Sequence, residues 1–152
     1  MKTLARHCDK AEILQRLKAV RPDSARRWGR MSAHQMVCHL SDSFRMVTRE
    51  KAVSHAAGPL DRTIVKWIAL YLPLRWPPGI RTRPEIDQLL GGTRPIDFAA
   101  DLAQLGVLVE LITAHPKNLD RQLHPVFGPM SAAAWLRWGY LHMDHHLRQF
   151  GS

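Results

Sequence analysis

Three histidines fall within five positions near the end of the 152-residue chain, in the run Tyr140-Leu-His-Met-Asp-His-His-Leu-Arg-Gln149. On an α-helix each residue advances by about 100°, so His142 and His146 stand roughly 40° apart on one face, one turn above the other. Neutral imidazole is a common ligand for divalent metals, and i, i+4 spacing on a helix sets two donors in place before any ion arrives. A third donor must come from elsewhere. His39, in the segment Met31-Ser-Ala-His-Gln-Met-Val-Cys-His-Leu40, is the best candidate. Three imidazoles leave at least one coordination position for water or substrate, which distinguishes a catalytic metal site from a closed structural one. Trp138, Leu141 and Leu147 surround the pair with apolar side chains, so the histidine face is expected to turn inward, where an unpaired imidazole needs a partner.

The other titratable groups fit less well. His145 projects about 100° away from His146, and His34 lies about 140° from His39, so neither is assigned as a ligand. His55 reads as loop surface, and His115 sits where a histidine meets the negative end of a helix dipole. His124 either lines the mouth of the site or stabilises its turn. Cys38 adjoins His39, but successive helical residues diverge by about 100°, so Cys38 is assigned to packing. Of two carboxylates that could act as acid or base, Glu50 and Asp144, the latter stands about 160° around the helix from His142 and receives no role.

These residues need helices to position them. Asp9 and Glu12 form a capping-box pattern ahead of Ile13, Leu14, Leu17 and Val20, a face that ends at Arg21-Pro22. Ser32 and Gln35 repeat the box, and Met36, Val37, Leu40, Phe44 and Val47 carry a second helix to about Thr48, with His39 inside it. Residues 60–72 form an apolar run compatible with helix and in part with strand, closed by Pro73. Residues 73–95 hold five prolines, Gly79 and Gly91-Gly92, which is loop composition, with one or two helical turns possible over residues 85–90. Arg75, Arg81, Arg83 and Arg94 of this loop could face an anionic ligand or simply cover the surface. Asp97 caps a long helix ending before Pro116, and a turn-rich stretch through His124-Pro-Val-Phe-Gly-Pro129 leads to Ser131, the N-cap of the last helix. No sustained β alternation is visible, so an all-α bundle in one domain over residues 1–152 is expected. In such a bundle the second and last helices can lie side by side and bring His39 to His142 and His146.

Composition narrows the function classes. The formal charge of +9 invites a nucleic-acid reading. Only Arg26, Arg27 and Arg30 cluster tightly, however, and no groove-reading motif accompanies them, so no strong nucleic-acid signature results. No apolar stretch approaches the ~18 residues of a membrane span. The amino terminus becomes charged too early for a signal peptide, and Cys8 and Cys38 do not make a disulfide framework, so a cytoplasmic protein is expected.

Two segments carry a family resemblance. Trp28-Gly-Arg-Met-Ser-Ala-His-Gln-Met36 through His39-Leu40, and His124-Pro-Val-Phe-Gly128 followed by Trp135 and His142-Met-Asp-His-His-Leu-Arg-Gln149, resemble the DinB-like superfamily, in particular an uncharacterised bacterial branch. The resemblance implies a four-helix bundle, here with an extra short helix and a long Pro/Gly-rich loop between the second and third bundle helices. It implies a divalent metal on His39, His142 and His146, and His145, His146 and Gln149 match the family's His-His-x-x-Gln ending. Members include transferases and isomerases that use low-molecular-weight thiols such as bacillithiol or mycothiol. The expectation is therefore a metal-dependent hydrolase or thiol-dependent transferase acting on a small molecule. Zn, Ni and Fe are not distinguished, and a homodimer is compatible with it. The competing expectation is a non-catalytic bundle with a structural metal, or a basic surface for an acidic partner.

Overall fold

The computed structural model describes residues 1–55, 58, 60–80 and 82–152. Among the described residues five α-helices carry the fold: α1 (His7–Lys18), α2 (Ala33–Thr48), the short α3 (Lys66–Tyr71), α4 (Phe98–Ala114) and α5 (Ala132–Gln149). A π-helical turn at Asp61–Val65 runs directly into α3, so the apolar run over residues 60–72 is helical and contains no strand. The all-α expectation needs one correction. Two short antiparallel strands, β1 (Gln122–His124) and β2 (Gly128–Met130), replace the expected irregular turn, with His124 opposite Gly128. Strands of three residues are too short to show period-two alternation, which is why the sequence pattern does not reveal them. Gly128, at φ +64, takes the left-handed conformation that the tight return requires.

Caps set most helix starts. Ser32 and Gln35 form the reciprocal capping box that opens α2, while Asp97 receives the Ala100 N–H at 2.8 Å and Ser131 that of Ala134 at 3.2 Å. The expected box at Asp9 is not formed. The α1 helix begins earlier, at His7, and Asp9 in its first turn accepts the Thr3 N–H at 3.0 Å and faces Arg6 at 3.5 Å. A carboxylate in a first turn is favoured by the helix dipole wherever its hydrogen bonds go.

The core lies where α2 packs on α4 and where α1 and α2 pack on α5. Ile13, Leu17, Met36, Leu40, Phe44, Leu105, Val109, Met143 and Leu147 are fully enclosed there. Helix α2 is buried all round between Met36 and Phe44, because residues 84–93 cover the side that faces away from the core. Its polar groups therefore need internal partners. Asp42 finds them: its carboxylate accepts the Thr93 N–H and hydroxyl, both at 2.7 Å, and the Gln88 amide at 3.1 Å, and it pairs with Lys51 at 3.0 Å. The long loop is thus fastened to α2. Of the helical turns expected over residues 85–90, one 3₁₀ turn forms, at Pro84–Ile86.

Among the described residues no helix is long and apolar enough to cross a membrane.

Candidate metal centre

The buried apolar faces of α2 (Met36, Leu40, Phe44) and α5 (Trp135, Met143, Leu147) set how both helices are turned, and the imidazoles of His39, His142 and His146 meet between them. Their ring centroids form a nearly equilateral triangle, with sides of 5.1, 4.7 and 4.9 Å. His39 Nε2 lies 3.2 Å from His142 Nε2, and one ligand atom from each of the three falls within 4.8 Å of the others. Two nitrogens bound tetrahedrally at about 2.0–2.1 Å from one ion stand about 3.4 Å apart, so the first spacing already suits a pair of ligands. The triad is geometrically possible as a metal site.

Hydrogen bonds to the far nitrogens decide which atoms are available. His39 Nδ1–H donates to the Ile86 carbonyl at 2.8 Å, which leaves Nε2 as the lone-pair atom. His146 Nδ1 is 3.1 Å from Gln149 Oε1. The Gln149 amide is itself oriented, since its Nε2 donates to the Trp28 carbonyl at 2.8 Å, so its oxygen must face His146 and accept the Nδ1 proton. Gly29 makes that contact possible: a Cβ there would come within 2.6 Å of Gln149 Nε2, and its φ of +78 also favours glycine. The Trp28-Gly29 segment and Gln149, distant in sequence, thus serve one end: they point the His146 Nε2 lone pair into the triad. Outer partners of this type commonly tune metal affinity by about 10–100-fold. His142 Nδ1 has no hydrogen-bond partner among the described residues.

All three imidazoles are buried, and burial is the largest influence on each, holding them below the ordinary histidine value; His142 and His146 are driven furthest, with neighbouring imidazoles adding to the effect. They are neutral at pH 7, the form that binds metal.

A cavity of about 470 Å³ adjoins the triad, walled by Ile68, Trp76, Ile86, Val126, Phe127 and Trp138, among others. Trp138 and Trp76 flank His142, with ring centroids 4.8 and 6.2 Å from it. The Trp76 indole is held by its N–H bond to the Ala69 carbonyl at 2.9 Å. Of the loop arginines, Arg75 and Arg83 line the cavity and Arg94 does not; Arg81 lies outside the described residues. His124 lines it as well and also stabilises its turn, so both readings of that residue hold.

The profile of a family described as "Protein of unknown function (DUF1569)" matches residues 3–152. The chain belongs to the DUF1569 family. No curated protein and no solved structure matches it.

The remaining candidates in this DUF1569 chain have structural partners or lie exposed away from the triad. Asp144 pairs with Arg16 at 2.8 Å and with Arg148 at 2.9 Å, tying α5 to α1 and away from the triad. His55 and His115 are exposed, and Glu50 bonds the Thr48 hydroxyl. His145 is buried beside His146 and packs near Trp28 and Trp76. His34 and Cys38, one turn apart on α2, meet Asp101 of α4: His34 Nε2 lies 2.7 Å from its carboxylate and Cys38 Sγ 3.5 Å. The three could also group around an ion, but their hydrogen bonds already satisfy them and join α2 to α4. Burial raises the Cys38 thiol to about 12, so it is protonated, in keeping with a packing role.

Sequence reasoning missed Asp42 and Trp76. Nothing in the spacing of one aspartate on α2 tells that a loop residue 51 positions later closes on it.

Proposed function

We propose that this protein is a metal-dependent enzyme of the DinB-like kind, its bundle formed by α1, α2, α4 and α5, with His39, His142 and His146 as ligands of a divalent ion. The observation that carries the reading is a set of three neutral imidazoles, two with Nδ1 committed elsewhere, that faces a cavity instead of being closed over. A divalent ion held there would act as a Lewis acid, lowering the pKa of a water or thiol bound to it and making either nucleophilic near neutral pH. The chain's own residues do the rest. Ile86 and Gln149 orient two imidazoles, while Trp76 and Trp138 pack against His142 on the cavity side. Arg75 and Arg83 are the cations available to the carboxylates of a low-molecular-weight thiol. A structural metal in a non-catalytic protein is less well supported, because a staple needs no cavity beside it.

The test is a screen of thiol-transfer and hydrolysis reactions with metal-loaded wild type and His146→Ala. Turnover is expected in wild type and at least about a 100-fold loss in the variant, more than outer-shell changes usually cause. Turnover equal in the two proteins refutes metal chemistry at the triad.

A further inference from the structure

A cavity walled mainly by hydrocarbon accepts an apolar body, and its specificity then rests on the few polar groups that reach it. His124 is such a group, and both its tautomer and its orientation are fixed by the fold. Its Nδ1 accepts the N–H groups of Val126 and Phe127, each at 3.1 Å, so the ring proton resides on Nε2. The ring stacks on Phe127 at 4.6 Å and meets the edge of Trp138 at 5.2 Å, while that indole is 4.8 Å from the His142 ring. The donor therefore stands one indole away from the triad. Among the described residues Nε2–H has no acceptor.

We propose that His124 selects the substrate: an apolar small molecule bearing a carbonyl-type oxygen, with the body in the cavity and the oxygen accepting the Nε2–H of His124. This rests on reading the cavity beside the triad as the substrate site. A donor pinned by two backbone N–H groups cannot exchange tautomers to become an acceptor, so it discriminates between a carbonyl and a shape-matched hydrocarbon. A carboxylate would accept the same N–H more strongly, but its charge must be desolvated to enter a cavity walled by hydrocarbon, which costs more than one neutral donor returns, so it would instead seek Arg75 or Arg83.

Three probes separate these cases: 2-acetonaphthone, 2-ethylnaphthalene and 2-naphthoate, titrated against the intact protein by tryptophan fluorescence, with metal content measured on the same samples. The ketone is expected to bind about three- to ten-fold tighter than the hydrocarbon, the range of one neutral hydrogen bond. In His124→Asn the side-chain oxygen can take the place of Nδ1 in the turn, but nothing reaches the Nε2 position. That variant should keep its fold and lose the preference. In His124→Gln the amide N–H reaches the Nε2 position without the turn bonds, so the preference should persist at lower thermal stability. In wild type, the Nε2–H proton resonance of His124 should shift downfield with ketone and stay in place with hydrocarbon, a readout that survives any folding defect of the variants.

The proposal is overturned by a preference that persists in His124→Asn, by equal binding of ketone and hydrocarbon to wild type, by no binding of either, or by 2-naphthoate binding best. Any of these results in protein that retains its metal refutes this inference and leaves the metal site standing. The expected results in protein that never takes up metal refute the metal site and leave the role of His124 in place.

Discussion

Replacing Asp42 with alanine is expected to cost about 3 kcal/mol of folding stability, within the range for breaking a buried charged network. The carboxylate is fully buried and holds the Thr93 N–H and hydroxyl, the Gln88 amide, Lys51 and, at 3.4 Å, Arg45. Lys51 and Arg45 keep roughly a quarter of their side-chain surface in water, 21% and 27%, and regain solvation when the acid is removed, which limits their share of the loss. The Gln88 amide is buried and has no such recourse; an unsatisfied buried donor costs about 1–3 kcal/mol. For a domain of this size the loss corresponds to a fall in Tm of roughly 6–12 °C. Thermal unfolding followed by circular dichroism measures it, with Asp23→Ala as control, since Asp23 is exposed and, among the described residues, pairs only with Arg21. A shift of the Asp42→Ala variant no larger than that of the control contradicts the loop-anchoring role. The effect extends to the triad: the loop that Asp42 anchors carries Ile86, whose carbonyl fixes the His39 tautomer, so metal affinity should fall with stability.

The metal-free protein is expected to lose stability between pH 7 and pH 5, about 2 kcal/mol of it from His124 alone. Burial lowers His39, His142, His145 and His146 below their ordinary value of about 6.5, and it pushes His124 down to about 3, with His55 adding to the effect. Below pH 6.5 the unfolded chain takes up protons at these positions that the folded chain refuses, so unfolding becomes easier as pH falls. The contribution is fully present above 6.5 and is lost progressively down toward the folded values, for His124 as far as about pH 3. Each such group weakens the fold by up to about 1.4 kcal/mol per pH unit. Carboxylates do not confuse this window. Burial pushes Asp144 and Asp101 up, but hydrogen bonds from Arg16 and Arg148, and from His34, the Ile96 N–H and Cys38, outweigh it and hold both below the usual carboxylate range; their stabilising contribution is lost only at lower pH. Urea unfolding at a series of pH values measures the trend, and stability unchanged between pH 7 and 5 refutes the assignment of neutral, buried imidazoles. Added divalent metal competes with the protons and should move the loss to lower pH.

Local chemistry was the part of the fold most open to reading in advance. Ser32 with Gln35, Asp97 and Ser131 each satisfy helix N–H groups within four residues of their own position, so the sequence alone suffices to place those caps. The His142 and His146 pair is legible for the same reason, and His39 follows once two helices must lie together. What escaped depends on partners far along the chain. Asp9 looks like a cap until Thr3 folds back on it, and Asp42 looks like a solvated residue until residues 88–93 close over α2. His124 is ambiguous until the three-residue strands set it against Trp138 and the cavity.

The central claim is that His39, His142 and His146 hold one divalent ion in an accessible site. Elemental analysis of protein purified without a histidine tag tests it most directly, comparing wild type, His142→Ala and His55→Ala after dialysis against one metal at a time. About one ion per chain is expected in wild type and in His55→Ala, with a sharp loss in His142→Ala, because only the latter removes a ligand. Equal metal content in the two variants, or no retention by wild type of any metal tried, contradicts the account.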